Sequence, residues 1–132
     1  MVGLDTNIVV RFVMQDDARQ AVVANRIFNE EISPVSKGYI ASIVLCEAVW
    51  VLVRSFKLNR RNIATAVETL LQASSLEIEH RQCAWDALRD FKNNSADYSD
   101  CLLARVNRQN GAPSTLTFDQ DASQLEYFRL AQ

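Results

Sequence analysis

The chain has 132 residues, 48% of them hydrophobic and 23% charged, with a formal net charge of −2, a profile that suits a globular domain able to bury a core. A pI near 5.4 argues against wholesale electrostatic coating of nucleic acid and leaves room only for a local basic rim. With three glycines, two prolines, no low-complexity linker and no internal repeat, residues 1–132 are expected to form a single domain.

In chain order, "VGL" reads as a short buried strand ending at Asp5, and "NIVVRFVM" as the helix after it, with Thr6 and Asn7 at its start. "DDARQAVVANRIFNEEI" has the helical apolar period, and Asp16 and Asp17 open it as acids do at an N-terminus. "SPVSKG" is a turn and "YIAS" a short strand. Ser42 then reads as the N-cap of a helix running to about Phe56, and Asn59 as the cap of another over "NRRNIATAVETLLQAS". "LEIE" is a strand and "RQCAWDALRDFKN" a helix. "DYSDCLLARVNRQN" is a helix that stops at Gly111. "STLTF" is a strand ending at Asp119, and "FRL" is the last one.

This alternation of short apolar strands with helices predicts an α/β fold, a parallel sheet of about four to five strands covered by helices on both faces. Ligands of such sheets sit at the carboxyl ends of the strands, so acids at strand ends and on the following helix starts are the candidates. The longest apolar run, 43–53, is too short and too charged to span a bilayer, and "MVGLDTN" lacks the marks of a signal peptide. Cys46, Cys83 and Cys101 are odd in number and widely spaced, as in a protein of the reducing cytoplasm, and His80 has no ligand companion.

The candidate acids are Asp5 after the first strand, Glu47 in the third helix, Asp97 and Asp100 in the first turn of a later helix, and Asp119 after the fourth strand, with Asp121 close by. Asp5, Asp97 and Asp119 also make good helix caps. Glu47 is harder to read as structural. Its helical neighbours Ile43, Val44, Trp50 and Val51 are all apolar, so it is expected to point with the core, where an unpaired charge costs several kcal/mol. Two bare carboxylates about 4 Å apart repel by roughly 4 kcal/mol at an effective dielectric near 20. A cation among the acids removes that penalty. An all-oxygen set without His or Cys suits Mg²⁺ or Mn²⁺ rather than zinc, and such a centre activates water for phosphoryl transfer. Thr6, Ser99 and Thr117 supply nearby hydroxyls.

"RSFKLNRR" holds Arg54, Lys57, Arg60 and Arg61 with no acid among them. It reads either as a solvated helix end and turn or as a phosphate-contacting edge, and Arg11 is a further RNA-binding candidate. Trp50 and Trp85 read as core residues rather than base-stacking platforms.

"MVGLDTNIVVRFV", "SIVLCEAVWVL", "ADYSDCLLA" and "TLTFDQDA", in this order and covering nearly the whole chain, resemble the PIN domain family, and within it the VapC-type toxins of bacterial toxin–antitoxin pairs. The resemblance implies a three-layer α/β/α sandwich and an Mg²⁺-dependent endoribonuclease of the cytoplasm. It also implies a homodimer inhibited by a small cognate antitoxin. Carried over, Asp5, Glu47 and Asp100 take the positions of the acidic triad and Asp119 the more variable fourth. Asp5 and Asp100 would bind metal directly, with Glu47 and Asp119 acting through water. Asp97 matches an extra acid of part of the family, and Thr6, Asn7 and Thr117 match supporting positions.

Other parallel α/β folds fit less well. A receiver domain wants paired acids at the first strand and a lysine after its fifth, and a haloacid-dehalogenase phosphatase wants D-x-D where this chain has D-T-N. A non-catalytic PIN-like module binding RNA or protein is the alternative from another class. With no histidine placed as general base, cleavage by metal-activated water, leaving 5′-phosphate and 3′-hydroxyl ends, is expected over attack by the 2′-hydroxyl.

Overall fold

The first strand is very short. β1 is Val2–Gly3, and Leu4 extends it by donating its N–H to the Tyr39 carbonyl at 2.9 Å. The computed structural model describes residues 1–14 and 18–132 and divides into an N-terminal unit, Met1–Glu79, and a C-terminal unit, His80–Gln132.

In the N-terminal unit β1 leads into α1 (Thr6–Met14) and α2 (Ala18–Arg26). A π-helical turn, Ile27–Glu31, replaces the last turn of the single helix expected there, and the Phe12 and Phe28 rings stack with centroids 3.8 Å apart. Asp16 and Asp17, the expected openers of α2, lie outside the described residues. β2 (Gly38–Ile40), α3 (Ser42–Arg54), α4 (Arg60–Gln72) and β3 (Leu76–Ile78) complete the unit. The strands run parallel in the order β1-β2-β3, Val2 pairing with Gly38, and Gly38 in turn with Leu76. Asn59 caps α4 as expected, its side-chain oxygen accepting the Asn62 N–H at 2.9 Å.

Ser42 is not a cap. It is the first helical residue of α3, and its N–H donates to Glu79 Oε1 at 2.8 Å. A carboxylate at the end of β3 therefore satisfies a helix start that has no cap of its own.

Gly38 sits where three core side chains meet. A Cβ there would lie 2.9 Å from both Ile32 Cδ1 and Leu4 Cδ1, and 3.2 Å from Leu76 Cδ2. Gly38→Ala is expected to cost about 1–3 kcal/mol through overpacking, read as a lower urea midpoint with an unchanged m-value.

In the C-terminal unit α5 (Arg81–Asn93) packs on α6 (Tyr98–Gln109). β4 (Thr115–Thr117) and β5 (Phe128–Leu130) form a parallel pair, with a 3₁₀ turn, Ala122–Gln124, in the connection between them. His80 holds a left-handed conformation, φ 52°, ahead of α5. α6 ends in a Schellman motif. The Gly111 and Ala112 N–H groups donate to the carbonyls of Arg108 and Asn107 at 3.2 and 2.9 Å, and Gly111 supplies the positive φ of 93°. Tyr98 anchors the other end of α6. It is buried, its hydroxyl donates to the Ala84 carbonyl at 2.9 Å, and its ring meets Phe91 edge-on.

The expected α/β class and parallel pairing hold, and the described residues form five short strands arranged as a sheet of three and a sheet of two. None of the three cysteines is in a disulfide. Cys83 and Cys101 are buried and Cys46 is half-buried. Among the described residues no helix is long and apolar enough to cross a membrane.

Candidate active site

Asp5 follows β1 at the mouth of α1, and its Oδ1 accepts the Ile8 N–H at 3.3 Å. The capping reading of this residue is therefore real, but it engages one carboxylate oxygen only. The next residue, Thr6, is the first of α1, and its hydroxyl donates to Glu47 Oε2 at 2.9 Å. α1 packs on α3, so two acids 42 positions apart in the sequence are joined through one threonine.

The structure corrects the expected burial of Glu47. The core face of α3 is Leu45, Ala48, Val49 and Leu52, and Glu47 lies on the opposite side, exposed. Its neighbours Ile43 and Trp50 are 68% and 59% exposed, so Trp50 is not the core residue expected, whereas Trp85 is half-buried. No burial penalty needs offsetting at Glu47. Its orientation comes from Thr6.

In the C-terminal unit Asp97 occupies the N-cap position of α6, yet its side chain makes no capping bond. Asp100 is half-buried. Burial pushes its carboxyl above the ordinary value, and the charges of Asp97 and Asp119 push it the same way. Asp119 sits in a tight loop. Its N–H donates to Thr117 Oγ1 at 2.9 Å, and its Oδ1 accepts the Ala122 N–H at 3.0 Å. Thr117 thus holds the backbone that presents Asp119. Asp121 has a structural task, accepting from the Ser95 hydroxyl at 3.2 Å.

The geometry therefore brings together Asp5, Thr6 and Glu47 in one unit, and Asp97, Asp100, Thr117 and Asp119 in the other. Among the described residues no group of three or more His, Cys, Asp or Glu is gathered closely enough to hold a metal ion. The donor chemistry fits a hard divalent ion: the side chains are all oxygen donors, and Asp100 is acted on by two further negative charges.

The basic candidates are spread over the N-terminal unit. Arg54 lies with its guanidinium carbon 5.3 Å from the centre of the Trp50 ring. Lys57 takes a positive φ of 55° in the turn. Arg60 and Arg61 open α4, exposed, where the helix dipole disfavours cations by about 0.3–1 kcal/mol. Arg11 Nε donates to Gln20 Oε1. Asn7 is exposed and lines the cleft that also contains Arg11.

Sequence reasoning missed Glu79, the cap of α3, and Arg19, which lines the same cleft as Arg11. A carboxylate directly after a strand was an available signal for Glu79. Nothing in the spacing marked Arg19.

A PIN domain model matches residues 2–126, and the chain belongs to the PIN domain family, a family of nucleases. The match runs through both units. A VapC ribonuclease of Aquifex aeolicus (strain VF5) is similar to it, 21% identical over 124 residues, which cover 94% of this chain and 91% of the relative. No solved structure matches the chain.

Proposed function

We propose that the chain is an Mg²⁺-dependent endoribonuclease, the toxin of a toxin–antitoxin pair, working in the cytoplasm as one PIN domain. Asp5, Glu47, Asp100 and Asp119 are its catalytic acids. The observation that carries this reading is the crowding of negative charge at Asp100 in a chain whose family is one of nucleases. A half-buried carboxylate acted on by two other negative charges is suited to a divalent cation.

Asp5 and Asp100 would hold the ion, and Glu47, Asp97 and Asp119 would act on it through water. Thr6 fixes the carboxylate of Glu47, and Thr117 fixes the loop of Asp119. When bound, Mg²⁺ supplies an acidified water and neutralises charge on the phosphate oxygens; Mn²⁺ substitutes for it. Arg11, Arg54, Lys57, Arg60 and Arg61 contact RNA phosphates. The partners are an RNA substrate, a small antitoxin and a second copy of the chain. Support for protein partners comes from the large apolar side chains left exposed on α3, namely Ile43, Trp50 and Val53.

The test is cleavage of structured RNA with Mg²⁺ or Mn²⁺ and with EDTA, after any bound antitoxin has been removed. Cleavage that persists undiminished in EDTA overturns the proposal, and so does full activity in Asp5→Asn. An inert protein with intact acids favours the non-catalytic binding module. Glu47→Gln is the finer variant. The amide oxygen still accepts from Thr6, so stability stays within about 0.5 kcal/mol of the wild type, whereas cleavage falls by about tenfold or more. Unfolding of Glu47→Gln without catalytic loss in the folded fraction would make Glu47 structural.

A further inference from the structure

Phe118 is the most exposed aromatic residue of the chain, 87% open to solvent, and it directly precedes Asp119, one of the proposed catalytic acids. We infer that Phe118 is a base-stacking platform for the RNA strand. It seats a base next to the phosphate that Asp119 attends, and Arg129 on the neighbouring strand takes a backbone phosphate. The inference rests on the ribonuclease reading and adds to it two substrate-binding residues, both in the C-terminal unit.

The first support is that the ring has no structural task. Other aromatic rings are engaged within the fold. Phe12 and Phe28 stack on each other, Phe91 meets Tyr98 edge-on, and arginines face Trp50 and Tyr127. Among the described residues Phe118 makes no ring contact and no cation faces it. An open π-face accepts any base, and such stacking is tolerant of sequence.

The second is how the ring is presented. On its N-terminal side the Thr117 carbonyl accepts the Ala131 N–H at 2.7 Å. On its C-terminal side the Asp119 N–H donates to Thr117 Oγ1 at 2.9 Å, and Asp119 Oδ1 accepts the Ala122 N–H at 3.0 Å. The backbone is therefore pinned on both sides of Phe118, and a base that settles on the ring has little backbone left to order.

The third is what lies beside it. Leu116, two residues earlier on β4, is 59% exposed, and Arg129 on β5 is its partner in the parallel register. Paired residues on neighbouring strands share a face, with the strands about 4.8 Å apart. Arg129 is exposed and, among the described residues, takes part in no ion pair. An aromatic ring, an aliphatic side chain and a guanidinium are the contacts that the base, sugar and phosphate of a single strand use. The cation beside the apolar pair points to a polyanion as the occupant.

The experiment uses a labelled single-stranded RNA oligonucleotide of mixed sequence and protein freed of antitoxin. Binding is followed by fluorescence anisotropy in EDTA, and cleavage is followed with Mg²⁺. Phe118→Ala and Phe118→Leu are both expected to weaken binding by about tenfold without moving the urea midpoint, whereas Phe118→Trp binds at least as tightly as the wild type. Phe118→Ala leaves the slope of log K against log [salt] unchanged, because no charge is removed. Arg129→Gln lowers that slope by about 0.7. With Mg²⁺, Phe118→Ala raises KM more than it lowers kcat.

RNA binding and KM that Phe118→Ala leaves unchanged overturn the platform. So does Phe118→Leu that binds like the wild type, since a leucine keeps the apolar surface and lacks the π-face. A dimer that Phe118→Ala splits while RNA binding is kept assigns the ring to contact between copies of the chain and overturns the RNA assignment. Binding that depends on Phe118 in a wild type that cleaves nothing with Mg²⁺ keeps the platform and overturns the ribonuclease reading. A wild type that neither binds nor cleaves RNA overturns both.

Discussion

Asp100→Asn is expected to lower Mg²⁺-dependent RNA cleavage by at least about hundredfold and, at the same time, to raise the melting temperature of the metal-free protein at neutral pH. The two effects share one cause. Burial, Asp97 and Asp119 hold the Asp100 carboxyl above its ordinary value of 3.8, so the native state binds that proton more tightly than the unfolded chain does. The stability this contributes is fully present below the ordinary value and is lost as the pH rises through the raised native value.

Asn carries no charge to lose and escapes that penalty. The gain in melting temperature over the wild type is therefore largest at neutral pH and vanishes at acidic pH, below the ordinary carboxyl range. Added Mg²⁺ raises the melting temperature of the wild type by mass action and leaves that of Asp100→Asn nearly unmoved. A variant that cleaves at the wild-type rate, or melts lower than the wild type without metal, contradicts this account.

The largest loss of stability is expected from Arg105→Ala, about 3 kcal/mol, measured as a shift in the urea midpoint. Arg105 on α6 holds Asp90 on α5 through two hydrogen bonds of 2.7 and 2.8 Å, and the two side chains are only 15% and 20% exposed. Those bonds push the arginine pKa up, and its guanidinium also lies 4.8 Å from the centre of the Tyr127 ring. Truncation leaves the Asp90 carboxylate without its fork in a half-buried place.

Arg105→Lys keeps the charge but cannot form the fork, and is expected to cost about half as much. Removing Asp90 together with Arg105 recovers part of the loss, since no orphaned charge then remains. A midpoint within about 0.5 kcal/mol of the wild type for Arg105→Ala would place this pair among ordinary surface contacts.

What the sequence made legible was what its local chemistry decides. Asn59 caps α4 and Gly111 ends α6 because a side-chain oxygen and a positive φ act within a few residues. Asp5, Asp100 and Asp119 stand out for the same reason, since each closes a strand or opens a helix. The orientation of α3 was not legible. Leu45, Ala48, Val49 and Leu52 make its core face, yet the opposite side carries Ile43, Trp50 and Val53, so the helix offers no polar stripe from which to tell inside from outside. That symmetry produced the mistaken burial of Glu47.

The Ser42 reading failed for another reason. The group that satisfies the helix start is Glu79, and a partner supplied by a different strand leaves no trace in the local pattern. Arg105 and Asp90 likewise look like solvated charges on amphipathic helices until α5 meets α6.

The Glu79 contact also bears on the order in which the chain can be secured during synthesis. Ser42 waits for a partner 37 residues downstream. Until the ribosome has released Glu79, the last residue of its unit, the helix bearing Glu47 must leave that first amide to water.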